Sequence, residues 1–151
     1  MTEADALFAR ALTLEDAGQP ERALEHYRRV LALAPAHPDA WHNHGLLLAR
    51  LGRLEEAERS HRSYVEVHPG SARARADLAD VLLARGRYQP AIETLDAVPA
   101  AGAGSLMVRR GVAQACLRRF DEARGSFALA RSRDAKAVTD FLARLAPGAD
   151  S

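Results

Sequence analysis

Alanine returns at residues 23, 57, 91 and 123, at intervals of 34, 34 and 32, and the rest of the chain keeps step with it. Twelve positions earlier stand small residues, Ala11, Gly45, Ala79 and Gly111; four positions later stand mostly bulky ones, Tyr27, His61, Leu95 and Phe127. Gly18, Gly52 and Gly86 punctuate the first three copies, and Pro35 and Pro69 close the first two. A fixed period of this length marks stacked units, none of which buries its apolar face alone. Such a chain is a modular surface before it is anything else.

Each unit reads as two helices. Apolar residues recur at three- and four-residue steps, as in Leu7, Ala11, Leu14 and again in Ala23, Leu24, Tyr27, Val30, Leu31. The halves are of about a dozen residues, a common globular helix length. They break at Gly18, Gly52 and Gly86, where a helix end calls for a left-handed residue that glycine adopts cheaply. Pro20 then suits a first helical turn, where its missing N–H costs nothing. No stretch alternates with period two over strand length, so the fold class is all-α.

The second copy is the clearest: Trp41-x2-His44-Gly45-x2-Leu48, then Gly52, Ala57-x3-His61 and Pro69. This pattern resembles the tetratricopeptide-repeat (TPR) family, and counting from Ala4, Pro38, Ala72 and Gly104 extends the resemblance over roughly residues 3–135. The resemblance implies a right-handed α-solenoid of antiparallel helix pairs with about nine helices in a single domain, 1–151. Its repeats would be about 4–37, 38–71, 72–103 and 104–135, with a capping helix at about 135–146. The family's tryptophan is present only at Trp41, with Leu7, Arg75 and Met107 in its place elsewhere, and the closing proline is missing from repeats three and four. Trp41 is expected to pack as a buried aromatic between the helices of repeat two and its neighbour. Gly45 is expected at a tight helix contact that rejects leucine but tolerates alanine.

Composition narrows the class. Hydrophobic residues make up 48% of the 151 but aromatics only 5%, so the core is built from Ala and Leu at close helix contacts. Twenty arginines stand against one lysine, which reads as GC-rich coding and a bacterial source. No N-terminal basic-then-apolar segment and no run of 18 apolar residues occurs, so the expectation is a cytoplasmic protein with no membrane partner. A lone Cys116 precludes an internal disulfide and fits a small core residue. A net charge of +1 does not point to nucleic acid. The charge is graded, however: four bases face seven acids in residues 1–40, eight face eight in 41–100, and nine face five in 101–151. Such a gradient is either drift on solvated faces or a means of orienting a charged partner.

Two irregularities end the pattern. Pro99 should shorten the second helix of repeat three, and Ala100 to Gly104 should form a connector, a hinge or a trimmed loop, before Ser105 caps the next helix. Ala135 to Leu145 then reads as one amphipathic helix, stopped by Pro147-Gly148, that would cover the last exposed core.

Chemistry is sparse. All six histidines fall in residues 26–68, and His42-x-His44 with His37 and His61 invites a metal reading. Imidazoles at i and i+2 face apart on a helix, and His44 and His61 occupy positions that the TPR pattern fills with packed residues, so they are expected to face each other inside the unit. There is no phosphate-binding loop and no arranged nucleophile, so neither a metal, a cofactor nor an enzyme activity is expected.

What the resemblance does imply is a binding groove lined by the first helix of each unit. Mapped here, that gives Asp5, Phe8, Ala9 and Leu12; Asp39, His42, Asn43 and Leu46; Arg73, Ala76, Asp77 and Asp80; and Ser105, Val108, Arg109 and Val112. Its core is Phe8, Leu12, His42, Asn43, Leu46, Arg73, Asp77, Asp80 and Arg109. The carboxylate clamp of TPR chaperone adaptors would fall on Phe8, Leu12, Asn43, Arg73 and Asp77, of which only Asn43 and Arg73 fit. The asparagine ladder of the O-linked N-acetylglucosamine transferases retains only Asn43, against Ala9, Asp77 and Arg109. The function implied is a scaffold or adaptor that binds a peptide or helix of a partner protein, with room for weak self-association. The alternative is the substrate-recognition module of a larger bacterial enzyme, such as a glycosyltransferase like those transferases, with the tail from Pro147 to Ser151 at its boundary.

Overall fold

The computed structural model describes residues 1–97 and 104–133. Among the described residues there are eight helices and no strand: α1 (Glu3–Asp16), α2 (Pro20–Leu33), α3 (Pro38–Arg50), α4 (Leu54–Val67), α5 (Ala72–Ala84), α6 (Tyr88–Asp96), α7 (Gly104–Cys116) and α8 (Phe120–Arg133). The expected capping helix at 135–146 and most of the 100–104 connector lie outside the described residues. The all-α architecture of successive helix pairs follows the expected register, and the eight helices among the described residues are close to the expected nine.

Four turns join the helices of a pair, and all four are built alike. Gly18, Gly52 and Gly86 have φ of 68°, 75° and 70°. Behind each, the next residue's N–H reaches back five residues, Gln19 to Leu14 O at 2.8 Å, Arg53 to Leu48 O at 3.0 Å and Arg87 to Leu82 O at 2.8 Å. This doubly bonded helix stop needs a left-handed residue at its pivot, which is why glycine recurs there. In repeat four Arg118 takes that position at φ 61°, and Arg119 N–H bonds to Gln114 O at 2.9 Å.

The helix starts use local caps. Thr2 and Asp5 form a reciprocal box, with Asp5 N–H donating to Thr2 Oγ1 at 3.1 Å and Thr2 N–H to Asp5 Oδ2 at 2.8 Å. His37 Nδ1 accepts from Ala40 N–H at 3.1 Å, and Ser71 Oγ accepts from Ala74 N–H at 3.1 Å. Pro20 and Pro38 open α2 and α3. Helix α7 begins at Gly104, so Ser105 sits inside its first turn rather than capping it. Helix α6 has 9 residues against 14 in α2 and α4, the truncation expected upstream of Pro99, itself outside the described residues.

The chain divides into two compact units, Met1–Val81 and Leu82–Ser151. In the first, Ala11, Leu14, Ala23, Leu24, Tyr27, Leu47, Leu48, Ala57 and Val81 form a buried core. A smaller cluster of Ala4, Val30 and Ala40 packs with Leu7, Phe8 and Leu31. In the second, Val108 and Ala130 pack with Met107 and Phe127. Every periodic alanine is buried: Ala23, Ala57, Ala91 and Ala123. The volume saved by a methyl side chain lets paired helices approach closely.

Three expectations are corrected. Trp41 is only half-buried, and its Nε1–H donates to Pro35 O at 2.7 Å, spanning the interhelix turn instead of filling the core. Arg75 stands at the same register position in repeat three and makes the same bond, Nε–H to Pro69 O at 3.1 Å. In repeats two and three the slot thus holds a long donor that reaches the preceding loop carbonyl, and a core aromatic is not needed there. Cys116 is exposed, not a core residue, because it ends α7 on the outside of the turn. Gly45 is at a tight contact as expected, but a Cβ there would collide with His61 Cε1, so alanine does not fit without displacing a buried ring.

Candidate functional site

Helices α1, α3 and α5 contribute the expected lining residues of the first unit, and side-chain bonds tie these helices together. Glu15 on α1 accepts from the Tyr27 hydroxyl at 2.5 Å and pairs with Arg50 on α3. The Asn43 side chain lies near the Tyr27 hydroxyl. Burial, and then the Glu15 carboxylate that accepts its proton, push the Tyr27 phenol well above its ordinary range. Between α3 and α5, Arg73 donates to Asp39 at 2.7 Å and to the Tyr64 hydroxyl at 3.0 Å, with its guanidinium over the Tyr64 ring. His42 Nδ1 donates to Asp77 Oδ2 at 2.6 Å.

Two pairs of the polar residues expected to meet a ligand are thus engaged with each other, His42 with Asp77 and Arg73 with Asp39. Asp77 keeps only 12% of its side chain exposed; burial raises its carboxyl above the ordinary value, and the His42 bond opposes that rise. Asn43 is half-buried beside Tyr27, and Arg73 remains partly exposed but doubly bonded. Phe8 is half-buried against Tyr27, with ring centroids 5.9 Å apart, and against His37, at 4.8 Å. The large apolar residues left open on these helices are Leu12 at 39% and Leu46 at 41% exposure, which hold the same register position on α1 and α3. Asp80 is exposed. Arg109 belongs to the second unit, where its Nη1 donates to Ser105 O at 3.2 Å. Val108, also expected to line the groove, is 1% exposed and belongs to the core.

The histidines separate as their spacing requires. His42 turns to Asp77 on α5, whereas His44 meets Ser60 on α4 at 2.8 Å. His61 is buried, its ring against Gly45 and its Nδ1 4.0 Å from Asp77 Oδ2. Burial drives both His44 and His61 down to about 4, with Arg28 and Arg53 adding to the effect at His44 and the neighbouring His42 and His44 at His61. His26 and His68 bond to the carbonyls of Arg22 and Ala36. Among the described residues no group of three His, Cys, Asp or Glu side chains is placed to hold a metal ion, and no helix is long and apolar enough to cross a membrane. The interlocking of Glu15, Tyr27 and Arg50, and of Asp39 with Arg73, escaped sequence reasoning. Opposite charges in register on alternate helices were the available clue.

Comparison with known proteins places this geometry in a family. Two tetratricopeptide-repeat family models match residues 8–64 and 48–115. An uncharacterized protein of Methanocaldococcus jannaschii, MJ0572, is 36% identical over 55 residues, which cover 36% of this chain and 64% of that protein. The chain thus spans just under two thirds of that relative's length. Among solved structures, MamA (residues 41 to the end) from Desulfovibrio magneticus RS-1 superposes with a TM-score of 0.77 at 20% identity, over 96% of this chain and 86% of its own. TTC0263, a thermophilic TPR protein of Thermus thermophilus, does so with a TM-score of 0.70 at 18% identity, over 94% and 82%. The eight described helices in register, the repeated turn and both matching models lead to one conclusion: the chain belongs to the tetratricopeptide-repeat family.

Proposed function

We propose that this chain is a non-catalytic scaffold that binds a peptide or helix of a partner protein on the α1–α3–α5 face of Met1–Val81. A TPR fold is in general a protein-interaction module, and the particular face is our assignment. The observation that carries it is the exposed pair Leu12 and Leu46, at one register position of neighbouring first helices, beside the half-buried Phe8. Apolar side chains repeated along one wall suit the spaced anchors of an extended or helical peptide. Three acids on these helices are engaged, Asp77 with His42, Asp39 with Arg73, and Glu15 with Arg50 and with Tyr27 of α2. A ligand is therefore chosen by its apolar anchors first, and Asp77 imposes no basic residue on it.

A peptide-library selection on the purified chain tests this reading. Affinity in the micromolar range is expected for an interface of this modest kind. Binders with two apolar anchors should be enriched, and Leu12→Glu with Leu46→Glu should weaken them at least tenfold without lowering the melting temperature. Enrichment of peptides whose binding survives the double substitution moves the site elsewhere.

A further inference from the structure

On the opposite side of α3 from Leu46, the second helices of repeats one and two flank a cleft of about 220 Å³. Its walls include Arg28 from α2, His44 from α3, and Glu56, Arg59, Ser60 and Ser63 from α4. At about 100° per residue, His44 lies more than a third of a turn from His42 and Leu46, so this cleft and the proposed peptide face are distinct.

The unused hydrogen-bonding capacity here is mostly donor. Arg28 makes a pair with Glu25 through Nη1 at 3.2 Å, and Arg59 one with Glu55 through Nη1 at 3.5 Å, both largely exposed and loosely held. Each guanidinium carries five N–H groups, so most of them are open to another acceptor. Glu56 is paired through both oxygens with Arg53, at 2.8 and 2.7 Å, which offsets its charge. Ser63 gives its proton to Arg59 O. Ser60 bonds to His44 Nδ1, and His44 Nε2 is buried without a partner. At that register position repeat three has Leu78, a packed core residue. A histidine with an unmet buried nitrogen gains nothing over leucine as packing, and such groups call for an explanation. The field at His44 is also positive on balance, since Arg28 and Arg53 outweigh Glu56 in depressing its protonation.

We infer that this cleft is a second binding site, for a small oxyanion: inorganic phosphate or the carboxylate of an acidic side chain. The two guanidinia would take its oxygens from the cleft walls, against the His44 ring in the same lining. The inference does not depend on the peptide face.

The test follows the His44 imidazole resonances of the full chain by NMR at constant ionic strength, with inorganic phosphate in one arm and N-acetyl-aspartate amide in the other. Saturable movement in the phosphate arm alone identifies a free oxyanion, and in the other arm alone a side-chain carboxylate; movement in both identifies their shared chemistry. Arg28→Gln with Arg59→Gln should weaken saturation at least tenfold. His44→Leu should retain the helical circular dichroism spectrum and lose the binding measured by calorimetry. Absence of a saturable shift in both arms overturns the site, as does wild-type affinity in the double arginine variant.

Discussion

Gly45 and His61 face each other across repeat two so closely that an added methyl group would enter the imidazole ring. Gly111 meets Phe127 in the same way in repeat four, with a Cβ placed 2.8 Å from the ring. The two positions vary as pairs: glycine occurs with His61 and Phe127, alanine with Tyr27 and Leu95. Helix propensity favours alanine over glycine by about 1 kcal/mol, but overpacking a buried ring costs about 1–3 kcal/mol. The steric term wins. Gly45→Ala should therefore destabilise the chain in urea unfolding, and adding His61→Leu should recover most of the loss. Equal midpoints for wild type and Gly45→Ala would show that the ring moves aside freely.

At the scale of the element, the turn between paired helices is the most constant device in the chain, and α7 ends on its weakest version. Arg118 holds φ 61° where three other turns use glycine. The left-handed region costs a non-glycine residue about 1–2 kcal/mol, part of which glycine returns through its larger unfolded-state entropy. Arg118→Gly should raise stability by about 0.5–1 kcal/mol, measured by denaturant unfolding. Gly52→Ala should lower it by a similar amount, although open space surrounds that Cβ, because the cost lies in the backbone. If the two substitutions shift the midpoint in the same direction, the turn is not governed by φ.

For the molecule as a whole, the buried imidazoles set a dependence on acid. His44 and His61 protonate near 4 in the fold, against an ordinary 6.5. Their folded values are depressed, so the unfolded chain binds more protons between these limits. Stability from them is complete above about pH 6.5 and is lost as pH falls toward 4, by up to about 3 kcal/mol per ring. Asp77 has the opposite sign: its raised carboxyl favours the fold at low pH, and that contribution fades as pH rises through its folded value. Urea midpoints between pH 7 and pH 4.5 should fall steeply for the wild type and less for His44→Leu. A variant that follows the wild-type slope would locate the acid sensitivity outside His44.

The period in the sequence determined the helices, their turns and the buried alanines, because each of these rests on local rules of backbone and spacing. Gly18, Gly52 and Gly86 could be placed by their residue type alone. The same reading assigned Leu12 and Leu46 to one face, since a helical register carries that information. Tertiary structure decided the rest. Trp41 and Arg75 share a bond to a loop carbonyl that no residue-type rule foretells. Arg73 and Asp77 look available in the sequence but are engaged by Asp39 and His42 from other helices. Arg118 adopts a glycine conformation because the turn fixes its backbone whatever the side chain. Spacing along the chain says which face a side chain takes; only the packing of helices remote in sequence says whether its hydrogen bonds are already made.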